Sequence, residues 1–287
     1  MLDYTLNCRG RLIRLDRPCV MGILNITPDS FYAGSRKQTE AEIAARANQI
    51  IAEGGEMIDV GAFSTRPGAD QVSPEEEMRR LRMALAIVRR EQPDAVVSVD
   101  TFRPEAARMV VEEFGADIIN DVSEGDVHGA YGATSRAESH QGMLQDGGVP
   151  AIFREVARLG VPYILMSTHG TMRDTLLAFS REVQQLRDLG QKDIILDPGF
   201  GFGKTVEQNY EMLRLLPQLQ ALELALLVGV SRKSMIWKLL DTTADEALNG
   251  TTVLNTIALQ NGASILRVHD VKEAVEVIKL SAATYKQ

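Results

Sequence analysis

Short apolar runs rich in β-branched residues recur along the chain, each followed by a longer segment whose apolar positions return every three or four residues. The runs are Cys19–Leu24, Glu56–Gly61, Ala95–Asp100, Asp117–Val122, Pro162–Met166, Asp193–Asp197, Leu226–Val230 and Ala263–Val268. The segments with helical spacing are Glu40–Glu53, Pro74–Arg90, Pro104–Phe114, Ala151–Leu159, Phe179–Leu189, Val206–Leu215, Asp245–Asn261 and Val271–Ala283. Local start signals support these helices. Ser73 before Pro74, followed by Glu75, Glu76 and Glu77, supplies a cap, a first-turn proline and acids at the positive helix end. Runs that are apolar throughout suit parallel strands buried on both faces. Eight strands alternating with eight helices predict an α/β fold, a (β/α)8 TIM barrel, as one domain over residues 1–287. A doubly wound open sheet would satisfy the same count. The leading segment Leu6–Leu15, with Arg9-Gly10 inside it, predicts a short N-terminal hairpin closing the barrel bottom. Glu124 to Val149 breaks the pattern: it is rich in Gly, Ser, His and Gln, with no sustained apolar period. It reads as a long insertion after the fourth strand, and loops of this length are usually functional or disordered.

The polar residues are informative by position. Asn25 follows the first run, Asp59 and Gly61 close the second, Asp100 closes the third, and Asn120 and Asp121 lie at the fourth. Asp197 ends the sixth, Ser231, Arg232 and Lys233 follow the seventh, and Arg267 and His269 mark the eighth. In a barrel these ends converge on the face that carries active sites. Helix capping explains any single Asp or Asn there, but not polar ends at seven strands including cations. Asp100, Asn120, Asp197 and Lys233 suit a flat heterocycle with many ring nitrogens, because a carboxylate accepts two hydrogen bonds from an amidine-like edge while an amide and an ammonium address carbonyl and ring-nitrogen acceptors. Arg66, Arg267 and His269 offer donors for phosphate oxygens.

Composition narrows the classes. The 287 residues are 45% hydrophobic and 24% charged, ordinary for a globular chain with a large core. A net charge of −8 argues against a general nucleic-acid binder, and no apolar stretch approaches the ~20 residues of a membrane span. The two cysteines, Cys8 and Cys19, fit no metal or redox spacing and read as reduced thiols. With no basic region leading into an apolar run at the N-terminus, a cytoplasmic location is expected. No histidine pair or carboxylate cluster suggests a metal cage, so any divalent ion is expected to be Mg²⁺ carried on a phosphate and touched by one protein oxygen. The segment Asp197-Pro198-Gly199-Phe200-Gly201-Phe202-Gly203-Lys204 fails both the Walker and the Rossmann spacings. It reads instead as a strand-to-helix turn with an exposed Phe platform.

Taken together, Asn25-Ile26-Thr27-Pro28-Asp29-Ser30-Phe31, Ser64-Thr65-Arg66-Pro67-Gly68, Asn120-Asp121-Val122, Asp197 to Lys204, Ser231-Arg232-Lys233-Ser234 and Arg267-Val268-His269-Asp270 resemble the dihydropteroate synthase family. The motifs stand in family order and span almost the whole chain. The resemblance implies a (β/α)8 homodimer that joins 6-hydroxymethyl-7,8-dihydropterin diphosphate to p-aminobenzoate, giving 7,8-dihydropteroate and diphosphate for folate synthesis. It implies pterin contacts from Asp59, Asp100, Asn120, Met166, Asp197, Phe202, Gly229 and Lys233. It implies an aminobenzoate site of Phe31, Thr65, Pro67, Phe202, Lys233 and Ser234, and diphosphate contacts from Asn25, Arg66, Arg267 and His269, with Asn25 also touching Mg²⁺. Lys233, Arg267, His269 and Asp100 are the implied catalytic residues.

Three departures from the family pattern stand out. Ala33 occupies a position that often carries an acid, Ser167-Thr168-His169 follows Leu165-Met166 where the family commonly reads His-Met, and the 124–149 stretch is unusually long. That stretch is either a surface loop without a role or a cover over the aminobenzoate entrance. A pterin-dependent methyltransferase domain and a non-catalytic pterin-binding homologue are the alternatives.

Overall fold

The structure, a computed structural model, describes residues 3–26, 36–62, 72–126, 144–145 and 149–284. The chain opens with an antiparallel hairpin, β1 (Tyr4–Cys8) and β2 (Arg11–Leu15), turning through Arg9 and Gly10, both at positive φ. The barrel strands follow as β3 (Cys19–Asn25), β4 (Met57–Gly61), β5 (Val96–Asp100) and β6 (Ile118–Asp121). A minimal pair, β7 (Leu144–Gln145) and β8 (Val149–Pro150), precedes β9 (Tyr163–Met166), β10 (Ile194–Asp197), β11 (Ala225–Val228) and β12 (Ile265–Val268). All barrel neighbours are parallel, and β12 returns to β3, closing the sheet. Closure excludes the open doubly wound sheet.

The outer layer contains α1 (Arg36–Ala52), α2 (Pro74–Glu91), α3 (Pro104–Phe114), α4 (Ala151–Leu159) and α5 (Met172–Asp188). It continues with α6 (Val206–Leu215), α7 (Ser234–Leu239), α8 (Leu248–Gln260) and α9 (Val271–Thr284). Ser73 caps α2 by accepting from the Glu76 amide at 3.2 Å, as its sequence predicts. Three expected helices start elsewhere than predicted, and the Glu40–Glu53 helix is one of them, beginning at Arg36. The Phe179–Leu189 helix begins earlier, at Met172, because Thr171 accepts from the Asp174 amide at 3.2 Å. The Asp245–Asn261 helix starts only at Leu248, and its first expected turn is taken by another interaction: Arg232 Nη1 donates to the carbonyls of Ala244 at 3.0 Å and Asp245 at 2.6 Å.

Alternation along the strands divides the molecule into two cores. Val20, Leu24, Ile58, Val60, Val97, Val99, Ile119, Leu165, Leu196 and Val228 belong to the outer core with the helices. Met21, Met57, Val96, Ile118, Ile164, Ile195, Leu227 and Ile265 form a second cluster with Leu6, Cys8 and Leu15 of the hairpin. With a side-chain period of two, the second set fills the barrel interior from below. The hairpin is therefore the floor of the barrel. It is fastened to the neighbouring loops by Asn7 N donating to Asp193 at 3.1 Å, Arg9 to the Gly115 carbonyl at 3.0 Å and Arg11 to the Asp94 carbonyl at 2.7 Å. Leu15 is 1% exposed. Leu15→Ala is expected to cost about 2–5 kcal/mol, read as a lower urea midpoint at unchanged m-value.

Two residues further along five of the eight barrel strands, the inward positions change character: Met57 gives way to Asp59, Val96 to Ser98, Ile118 to Asn120, Ile195 to Asp197 and Ile265 to Arg267. The same alternation that fills the bottom of the barrel with apolar side chains lines its top with polar ones.

Candidate active site

Strand register assembles the upper layer. Asn25 pairs with Gly61, Gly61 with Asp100, and Asp100 with Asn120, while Asp197 pairs with Met166 across β9 and β10. Asp59 and Asn120 are 0% and 1% exposed. Asp59 Oδ2 accepts from Asn120 Nδ2 at 3.1 Å and from Arg267 Nε at 2.7 Å. Arg267 Nη2 also reaches Asp100 Oδ2 at 3.5 Å, so one guanidinium ties two carboxylates together. Asp59 Oδ1 and Asn120 Oδ1 are buried and accept nothing from the described residues. Buried acceptors left open are costly unless a ligand donor fills them. Burial pushes the Asp100 carboxyl up to about 8; Arg267 opposes the rise and Asp59 adds to it.

The glycine-rich turn after β10 supplies the adjoining wall. Asp197 accepts from the Gly199 amide at 2.8 Å, and burial raises its pKa against the pull of Lys233. Gly199 has φ of 68°, and a Cβ there would sit 2.1 Å from the Ser167 carbonyl oxygen, so only glycine fits. Lys233 Nζ donates to the Phe200 carbonyl and lies 4.7 Å from the centre of the Phe202 ring. Its stem passes Gly201, where a Cβ would approach Lys233 Cδ to 3.0 Å. Gly229 lies beside the same two cations: a Cβ there would be 3.8 Å from Lys233 Nζ and 3.9 Å from Arg267 Cβ. Burial lowers the Lys233 ammonium to about 8, with Asp197 opposing. Ser234 opens α7, half-buried next to Lys233. The His269 backbone is held at both ends, its amide by Ser231 Oγ at 3.1 Å and its carbonyl by Arg46 at 2.6 Å.

Some strand-end residues are committed to the fold. Asp121 accepts from the Ser123 and Gly125 amides at 2.7 and 2.8 Å and from the Tyr163 hydroxyl. Arg232 forms a bidentate pair with Asp270, both bonds 2.9 Å, beside its two carbonyl contacts, and is thereby withdrawn from the set of site cations.

A Mg²⁺ arriving on a phosphate would need one protein oxygen at this face, and Asn25 is the side chain that would supply it. Among the described residues no group of three His, Cys, Asp or Glu forms a cage. Asn25 is exposed, however, and a Cβ on Gly61 would lie 3.3 Å from Asn25 Oδ1 and 3.7 Å from Asp100 Oδ2. Gly61 thus lies beside both oxygens. A single neutral amide ligand suits an ion that retains waters and phosphate oxygens.

Phe31, Ala33, Thr65, Arg66 and Pro67 lie outside the described residues, as does most of the 124–149 stretch. The sequence reading assigned no role to Lys204, Thr168 or Glu124. Lys204 Nζ donates to the carbonyls of Ser167, Gly199 and Phe202 at 3.1, 3.0 and 3.2 Å. The available signal was its place after Gly199, Gly201 and Gly203, whose positive φ values of 68°, 81° and 61° curl the turn around the ammonium.

A closed (β/α)8 barrel with buried carboxylates, an amide and a guanidinium at its strand ends defines a barrel enzyme for a nitrogen-rich, anionic ligand. Residues 21–269 match the family described as pterin binding enzyme. The chain is 37% identical over 278 residues to dihydropteroate synthase of Escherichia coli (strain K12), covering 96% of this chain and 95% of the relative. The Xanthomonas albilineans dihydropteroate synthase structure with 4-aminobenzoic acid superposes with a TM-score of 0.85 at 32% identity, covering 99% of both chains. The same organism's enzyme in complex with 7,8-dihydropteroate gives 0.81 at 31% identity, over 99% of this chain and 100% of that one. This chain belongs to the dihydropteroate synthase family of pterin binding enzymes.

Proposed function

We propose that the chain condenses 6-hydroxymethyl-7,8-dihydropterin diphosphate with p-aminobenzoate, giving 7,8-dihydropteroate and diphosphate in tetrahydrofolate biosynthesis. The observation that carries this reading is the cluster of Asp59, Asn120, Asp100 and Arg267, with its two open buried acceptors, Asp59 Oδ1 and Asn120 Oδ1. Asp59, Asp100 and Asp197 accept from the N–H groups of the pterin, Asn120 and Lys233 address its carbonyl and ring nitrogen, and Met166, Gly229 and Phe202 shape the pocket. The bond from the pterin methylene carbon to the bridging oxygen breaks, and its electron pair leaves with diphosphate. The arylamine lone pair then forms the C–N bond, and the nitrogen gives its proton to water. Carboxylates around the ring favour the transient cation, while Arg267, His269 and Arg66 neutralise charge on the leaving oxygens. The arylamine is largely unprotonated at neutral pH and needs positioning, assigned to Phe31, Thr65, Pro67, Phe202, Lys233 and Ser234. Mg²⁺, held through Asn25, would supply further neutralisation of the diphosphate.

The reading includes a homodimer, for which the exposed Leu239, Val253 and Leu280 on the last three helices, with Leu240 just after α7, offer apolar surface. It also includes a cytoplasmic location, with which the free, buried Cys8 and Cys19 agree. The test is diphosphate release from the pterin diphosphate with Mg²⁺, with and without p-aminobenzoate. Release is expected only with both, and loss is expected in Lys233→Ala or with a chelator. Pterin binding without release would assign a non-catalytic homologue.

A further inference from the structure

Glu124 is the first residue after the barrel's fourth strand to leave the regular pattern, yet it is 0% exposed and holds a left-handed φ of 60° that glycine would adopt more easily. The backbone is set there by Asp121, which accepts from Ser123 N and Gly125 N on either side of it. The Glu124 carboxylate points across to the turn after β9. Its Oε2 accepts from the Thr168 amide at 3.2 Å and the Thr168 hydroxyl at 2.7 Å, and its Oε1 lies 3.5 Å from His169 Nε2. On the other side of that turn, the Ser167 carbonyl takes a hydrogen bond from Lys204 and abuts Gly199, whose amide holds Asp197. Lys204, whose ammonium is lowered by burial to about 8, feels both Asp197 and Glu124 as opposing charges. Glu124 and Lys204 therefore clasp one short segment, Ser167–Thr168, from two sides. That segment follows Met166 directly and packs on the turn that orients Asp197.

We propose that Glu124 is a positioning residue for the pterin substrate: by fixing the Thr168 backbone it sets Met166 and, through the Ser167–Gly199 contact, the Asp197 carboxylate. The inference rests on the pterin reading of the site. It makes a residue at the root of the insertion a determinant of pterin affinity, with no contact to the ligand itself.

The experiment measures binding of 6-hydroxymethylpterin diphosphate by calorimetry, together with the KM of each substrate and the thermal midpoint. Glu124→Ala is expected to weaken pterin binding about tenfold, as fits loss of a charge-assisted hydrogen-bond pair to a backbone turn, while the p-aminobenzoate KM changes less than about twofold. Thr168→Val, which removes only the hydroxyl, is expected to weaken it about threefold. The double variant is expected to match Glu124→Ala, because both changes act through one contact. A role limited to stability would lower the midpoint and leave the two substrates equally affected. Equal pterin affinity in a folded Glu124→Ala overturns the proposal. If that variant does not fold, unchanged affinity in Thr168→Val overturns it instead. Failure of the unaltered protein to bind the pterin would overturn the underlying reading of the site, a separate outcome.

Discussion

Arg267→Ala is expected to lower kcat/KM for the pterin diphosphate about a thousandfold, the scale of removing a preorganised donor aimed at developing negative charge. Arg267 has a second task, which the ion pairs with Asp59 and Asp100 reveal: in the empty site it is the cation that makes two adjacent buried carboxylates tolerable. Removing one partner of a buried pair is far more costly than replacing the whole pair by apolar groups. Stability is therefore expected to fall by on the order of 3 kcal/mol. The loss is expected to be larger at pH 8 than at pH 6, where Asp100 holds a proton and has less need of the lost counter-ion. Arg267→Lys keeps the charge but not the planar fork that spans both carboxylates, and is expected to regain stability more than turnover. Steady-state kinetics with urea denaturation at the two pH values checks both parts. Full turnover in Arg267→Ala would remove this residue from the site.

Asp100→Asn carries the other large effect, and pH is the way to see it. Because kcat/KM reports groups in the free enzyme, it is expected to rise with pH as Asp100 loses its proton at about 8. It is expected to fall above that as Lys233 loses its own, also at about 8. The result is a narrow bell centred near pH 8, whose limbs belong to the coupled site as a whole. Asp100→Asn is expected to flatten the acidic limb and to lower the maximum about a hundredfold, because the amide carries no charge and presents an NH2 donor where the carboxylate has its second acceptor oxygen. Stability moves the opposite way. The folded-state pKa of Asp100 is raised above the unfolded value of 3.8, so the folded protein keeps a proton there that the unfolded chain has lost. Its contribution to stability therefore declines as pH rises from about 4 to about 8. The asparagine variant lacks that decline and is expected to gain on the unaltered protein across the same interval. A profile without an acidic limb in the unaltered enzyme would refute this account.

The barrel was legible because the strands are short, mostly apolar runs, and nearly every run has a polar residue at or beside its end, so that Asp59, Asp100, Asn120, Asp197 and Arg267 could be placed on one face before any coordinates. The hairpin was legible from Arg9-Gly10 between two short runs. What escaped depends on partners distant in sequence. Arg232 reads as a site cation until Asp270 and the carbonyls of Ala244 and Asp245 are found around it, and those same contacts delay the start of α8. Glu124 sits in a polar stretch, where a carboxylate is expected to face water; its burial follows from Thr168, 44 positions away. The start of α5 at Thr171 was in principle readable, since Thr171 stands three residues before Asp174 in a standard capping spacing.

The division of most barrel strands into an apolar lower half and a polar upper half bears on how this chain can change over generations. Substitutions that alter how the pterin is held fall on the upper positions, where buried charges already work against stability. The lower positions, packed on the hairpin, supply none of the proposed site residues. A better-packed floor can therefore offset a destabilising change at the mouth without altering its chemistry. Variants with new ligand preferences are most readily sought in chains whose lower barrel has first been strengthened.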